Sequence, residues 1–187
     1  FPGLPVYGPA HEDIDTRTHP LHDGDRVLLP DLGLNFRVLE VPGHTRGHLA
    51  YYGHAWLFCG DTLFSAGCGR LFEGTAAQMH ASLTRLAALP GETQVYCAHE
   101  YTLANLRFAQ AVEPDNADIA AYRRVVEAQR AHDQPTLPST LERELRINPF
   151  LRTAVPEVHT MAEKQAGIRL PDSLSVFAAV RHWKDSF

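Results

Sequence analysis

Long apolar runs and paired cysteines are both missing from this sequence of 187 residues. A helix that spans a bilayer needs about 20 consecutive apolar residues, and no such run or basic-then-apolar leader occurs. Cys59, Cys68 and Cys97 are odd in number and include no Cys-x-x-Cys pair, which argues against a disulfide framework or a thiolate zinc site. We therefore expect a cytoplasmic chain without a membrane partner, in which the cysteines are buried structural thiols.

An excess of basic residues is also missing. The chain has 17 Lys and Arg against 22 Asp and Glu, for a formal net charge of -5. Nucleic-acid binding relies on clustered Lys and Arg that neutralise phosphates, so we expect no nucleic-acid partner. An anionic ligand would have to be held by a few local cations. Apolar residues make up 44% of the chain, which is enough to bury a core at this length.

The first part of the chain mixes strand and helix patterns. Residues 35–41 alternate apolar and polar side chains, and HLAYY and AWLFC follow after glycine-containing breaks, which predicts neighbouring antiparallel strands. After Gly74, apolar residues at helical spacing predict a helix that ends before Pro90, and the short strand QVYCA follows. Strands mixed with helices in this order predict an α+β core.

Beyond the segment CAHEYT the patterns become helical. The predicted helices cover residues 103–112, 118–131, 155–165 and 173–184, and Asp172 or Ser173 is expected to cap the last one. Between the second and third of these, Pro135, Pro138 and Pro149 predict a loop that wraps around the molecule. We place a domain boundary near Glu113, which divides the chain into residues 1–112 and a smaller helical unit, 113–187.

Three polar residues that each follow a predicted strand form a candidate metal site. His44 lies in VPGHTRGH, Asp61 in FCGDTLF and His99 in YCAHEYT. Strand ends hold side chains still and leave a coordination position open to water. A carboxylate can bridge two cations whereas an imidazole normally serves one, so the set predicts half of a two-metal site. The alternative is three hydrogen-bonded polar residues at loop starts, which their shared setting disfavours.

The other histidines lack such a setting. His19 and His22 lie in THPLHDGD, where Pro20 and the Asp-Gly-Asp that follows indicate a turn rather than a ligand cluster. We expect the remaining histidines to be structural or surface residues: His11, His48, His54, His80, His132, His159 and His182.

Over nearly its whole length the sequence resembles the glyoxalase II branch of the metallo-β-lactamase superfamily. The motifs that carry the resemblance are PGHTRGH, GDTLFSAGCGRLFEGT, CAHEYTLANLRFA, VEPDN, PSTLERELRINPFLR and AVRHWKD. The resemblance implies an αββα sandwich, incomplete because its N-terminal strands are not in this sequence, followed by a small all-helical domain. The family's T-H-x-H-x-D-H motif is not in the sequence, and we expect it upstream of Phe1.

The resemblance also implies roles for particular residues. His44 would bind one metal, His99 the other, and Asp61 would bridge both, with two zinc ions per complete subunit and iron or manganese as possible substitutes. Glutathione would be recognised by one residue of the GCG loop, one tyrosine and a cationic pair in the last helix, which correspond to Arg70, Tyr101, Arg181 and Lys184. The last two are three residues apart, so they share a helix face that can grip a carboxylate.

The implied activity is hydrolysis of S-(2-hydroxyacyl)glutathione thioesters by a hydroxide bound between two metal ions. S-D-lactoylglutathione would yield D-lactate and glutathione, the last step of methylglyoxal detoxification, in a monomeric enzyme. Without the upstream ligands, we expect the chain alone to be inactive. Two alternatives stay open: a persulfide dioxygenase-like enzyme with one iron, and a non-catalytic domain that lacks the first metal motif.

Overall fold

A computed structural model describes residues 3–187, which form ten strands and six α-helices. The strands are β1 (Tyr7–Pro9), β2 (His19–Leu21), β3 (Arg26–Leu29), β4 (Leu34–Glu40), β5 (Leu49–Gly53), β6 (Trp56–Gly60), β7 (Leu63–Phe64), β8 (Gly67–Cys68), β9 (Gln94–Cys97) and β10 (Ser139–Thr140). The helices are α1 (Ala76–Ala87), α2 (Thr102–Val112), α3 (Ala117–Ala131), α4 (Leu141–Ile147), α5 (Pro156–Ala166) and α6 (Ser173–Ser186). The predicted α+β class is confirmed.

Six strands form the main sheet, in the order β10-β9-β6-β5-β4-β3. The neighbours from β3 to β6 are antiparallel, which confirms the prediction for β4, β5 and β6 and adds β3 to the same sheet. The pair β6 and β9 is parallel, with Gly60 opposite Cys97. Because parallel strands end at the same edge, the residues that follow β6 and β9 come out side by side. Asp61 and His99 are among those residues.

The helices begin where the sequence supplies caps. Thr75 and Gln78 form a reciprocal capping box at the start of α1. Asp172 caps α6 by accepting a hydrogen bond from the Ser175 backbone N–H, which confirms one of the two predicted caps. None of the helices in residues 3–187 combines the length and apolar character needed to cross a bilayer.

The prediction of a wrapping loop between α3 and α5 is wrong, because this stretch contains β10 and α4. Thr140 caps α4 by accepting from the Arg143 N–H, and two of the prolines lie just outside the helix, where they do not interrupt it. Leu141 and Ile147 are buried. The fully buried Glu144 carboxylate accepts hydrogen bonds from the Ser65 hydroxyl and the Ala66 N–H, which ties α4 to the β7–β8 turn.

The largest of the three buried apolar clusters in residues 3–187 joins the main sheet to the helices. Its buried side chains include Leu57 and Val95 of the sheet, Leu83 of α1, Phe108 of α2 and Phe177 of α6. The core therefore contains residues from both sides of the boundary predicted near Glu113, and that boundary stays a prediction.

Candidate active site

A cavity of about 610 Å³ opens at the edge of the sheet where β6 and β9 end. All seven residues singled out in the sequence line it: His44, Asp61, Arg70, His99, Tyr101, Arg181 and Lys184. Phe64 and Phe72 contribute apolar surface to the wall of this cavity. A larger cleft of about 750 Å³ lies between α2, α3 and α5, but none of the predicted site residues lines it. The smaller cavity is the better candidate because it holds the chemically competent side chains.

His44 is oriented by the loop that follows β8. Its Nδ1 lies 2.8 Å from the carbonyl oxygen of Arg70. Since a carbonyl can only accept, Nδ1 carries the proton and Nε2 keeps a free lone pair. A backbone carbonyl that fixes the tautomer in this way is typical of histidines that bind metals. Gly69 lets the same loop pass close to the backbone of Asp61, because a Cβ there would lie 1.9 Å from the Asp61 carbonyl oxygen.

Asp61 and His99 lie next to each other at the mouth of the cavity. The Asp61 Oδ1 is 3.2 Å from the His99 Nε2, and the His99 ring stacks on Tyr101 with centroids 4.9 Å apart. The parallel pairing of β6 and β9 brings the two residues together although they are far apart in sequence. Two imidazoles and a carboxylate are the ligand types that zinc and related divalent ions prefer.

His48 has a role at the site that the sequence analysis missed. Its Nε2 accepts the backbone N–H of Asp61 at 3.1 Å. Burial lowers the pKa of His48, and the neighbouring His44 lowers it further, so the ring stays neutral and can accept. Gly60 allows this contact, because a Cβ there would lie 2.4 Å from the same nitrogen. In the sequence, the signal that could have identified His48 is its place as the second histidine of PGHTRGH.

The predicted cations differ in their surroundings. Arg181 is only 4% exposed, and it donates to the Cys68 carbonyl at 3.1 Å and to Asp185 at 2.9 Å. Lys184 is half-buried over the ring of Phe108, at 4.9 Å from the centroid. Burial, followed by repulsion from Arg181, lowers the pKa of Lys184 to about 8. Arg181 thus fixes the loop, while Lys184 remains available to a ligand.

Comparisons with known proteins place the chain among metal-dependent hydrolases. Residues 2–99 match the family model of the metallo-beta-lactamase superfamily, and residues 100–187 match the model described as hydroxyacylglutathione hydrolase C-terminus. The hydroxyacylglutathione hydrolase of Nitrosomonas eutropha is 56% identical over 98% of this chain and 72% of its own length. That of Aliivibrio fischeri is 57% identical over 100% of this chain and 73% of its own length. The predicted resemblance is confirmed.

Solved structures match less closely. ETHE1 from Myxococcus xanthus has a TM-score of 0.57 and 27% identity, covering 97% of this chain and 65% of its own. TTHA1623 in a di-iron-bound form has a TM-score of 0.52 and 27% identity, covering 79% of this chain and 65% of its own.

Proposed function

Because the chain belongs to the hydroxyacylglutathione hydrolase family of the metallo-beta-lactamase superfamily, we propose that it hydrolyses S-(2-hydroxyacyl)glutathione thioesters. The proposed substrate is S-D-lactoylglutathione and the products are D-lactate and glutathione. The observation that carries the proposal is the convergence of His44, Asp61 and His99 with Lys184 on one cavity. That cavity combines metal-ligand chemistry with a cation for an anionic substrate.

His44, Asp61 and His99 would hold the metal. His44 offers a free Nε2, and Asp61 offers two carboxylate oxygens beside the His99 imidazole. His44 would serve one ion, His99 the other, and Asp61 would contribute to both; zinc is the proposed metal, with iron or manganese as alternatives. Divalent metals in such sites lower the pKa of bound water and polarise carbonyl groups. The proposed metal number agrees with the di-iron form of TTHA1623.

The other residues of the cavity would position the substrate. Lys184 is the cation suited to a carboxylate of the tripeptide, and Arg70, with a side chain that is 69% exposed, can reach a second one. The Tyr101 hydroxyl can donate to a peptide carbonyl of the substrate, because its half-exposed ring, which stacks on His99, lines the cavity. Arg181 would act indirectly, by holding the Cys68 carbonyl and with it the loop that carries Arg70.

The reaction adds water across the C–S bond. The water oxygen forms a bond to the thioester carbonyl carbon, the C–S bond breaks, and the electron pair leaves with sulfur. Of the two water protons, one ends on that sulfur and the other is released to solvent as the carboxylic acid ionises. A thiol has a pKa of about 8.5, so the thiolate departs with little help from an acid.

The test is S-D-lactoylglutathione hydrolysis by the protein expressed from its complete gene, with metal content measured in parallel. His44→Ala and Asp61→Asn should lower both bound metal and turnover, by about 100-fold or more in rate. His132→Ala, an exposed histidine far along the chain from the cavity residues, is the matched control and should leave both unchanged. Full activity in His44→Ala, or oxygen uptake in place of hydrolysis, would refute the proposal.

A further inference from the structure

We propose that His11, His22 and Glu40 form a second metal site, selective for a divalent transition ion of the zinc type. Their ligand atoms all lie within 4.8 Å of one another, and this is the one such group of three found in residues 3–187. None of the three residues lines the active-site cavity. The site therefore lies outside the proposed reaction centre and does not depend on the proposed activity.

The geometry suits one ion of ordinary size. The His11 Nε2 lies 4.0 Å from the Glu40 Oε1, and the two imidazole rings meet edge to face with centroids 5.1 Å apart. Zinc holds N and O ligands at about 2.0–2.2 Å, which puts tetrahedral ligand atoms about 3.4 Å apart. The side chains of His11 and Glu40 are 69% and 37% exposed, so small rotations can close the remaining gap.

Neighbouring residues hold the ligands in place. The Asp23 carboxylate accepts the Glu40 backbone N–H at 2.9 Å, and the Asp23 backbone N–H donates to the Glu40 side chain at 3.2 Å. Arg85 pairs with Asp23 and also donates to the Glu40 carbonyl at 3.2 Å. The His22 backbone N–H donates to Asp25 at 2.7 Å. Of these contacts, the one from the Asp23 N–H touches a ligand side chain directly, and outer contacts to ligand side chains orient ligands and raise metal affinity.

The ligand types decide which ion would bind. Two imidazoles with one carboxylate favour zinc, nickel or copper over magnesium and calcium, which prefer oxygen ligands. Three protein ligands leave one position for water, so the ion would be exchangeable rather than enclosed.

A metal here would join three separate parts of the chain. His11 lies between β1 and β2, His22 follows β2, and Glu40 ends β4. The residue after His11, Glu12, accepts the Gly47 backbone N–H at 2.8 Å, and Gly47 belongs to the PGHTRGH loop that carries His44. An ion at the second site would therefore anchor the segment that supports the active-site loop.

The experiment is a zinc titration of the purified protein, expressed from its complete gene, against a chromogenic chelator, with thermal melting as a second readout. Loss of an outer contact already lowers metal affinity about 10–100-fold, so loss of a ligand in His22→Ala or Glu40→Gln should lower it at least as much. We expect each variant to lose one equivalent of bound zinc and the thermal stabilisation that this zinc provides.

His19→Ala is the matched control, since His19 is exposed in the same segment but pairs with Thr18 instead of the cluster. It should bind zinc as the unaltered chain does. Glu40→Gln preserves the side-chain shape and covers the case in which His22→Ala does not fold. The proposal would be overturned if Glu40→Gln still bound the zinc ion assigned to the second site. It would also be overturned if His19→Ala and His22→Ala lost equal amounts of zinc.

Discussion

We predict that Lys184 makes glutathione binding depend on pH in a range where arginine would not. Burial between aromatic rings and repulsion from Arg181 lower its pKa to about 8. The charged fraction then falls from about nine tenths at pH 7 to about one tenth at pH 9. If the ammonium holds a substrate carboxylate, the dissociation constant should rise about tenfold over that interval. Lys184→Arg keeps its charge throughout, so it should flatten this rise.

The assay is calorimetric titration with S-methylglutathione, which has no thiol to titrate, at pH 7, 8 and 9. Lys164, an exposed lysine of α5 that does not line the active-site cavity, supplies the control variant Lys164→Arg. That variant should follow the unaltered chain at every pH. Parallel pH dependences for the unaltered chain and Lys184→Arg would refute the assignment of Lys184 as the carboxylate-binding cation.

Two further predictions concern contacts outside the ligand set. His48→Ala removes the acceptor for the Asp61 N–H and should lower metal affinity and turnover about 10–100-fold, measured by metal analysis and thioester hydrolysis; an unchanged affinity would contradict it. Arg152→Met leaves the 4% exposed Glu113 without its two hydrogen bonds of 2.8 Å and should lower the free energy of unfolding by about 3 kcal/mol. Arg123→Met breaks the more exposed ion pair with Glu127 and should lower the free energy of unfolding by less than about 1 kcal/mol. Urea denaturation measures both variants, and equal losses would refute the distinction between the buried and the exposed pair.

The strands and most helices could be predicted because their signals lie within a few consecutive residues. Alternation at residues 35–41 corresponds to β4, and the predicted cap at Asp172 begins α6. The short helix α4 was missed because three prolines suggested a loop. Its stability comes from Glu144, whose partners at Ser65 and Ala66 are almost eighty positions away in the chain.

The candidate metal ligands were also accessible from sequence, because His44, Asp61 and His99 each follow a strand within a short motif. Which residues surround them was decided only by tertiary structure. The burial of Arg181 depends on a contact to Cys68 across 113 positions, and the role of His48 depends on the turn that Gly60 allows. His11, His22 and Glu40 meet because two loops fold onto the end of β4, so no local pattern contains all three. Local sequence thus determined the elements and the ligand types, whereas long-range packing determined their partners.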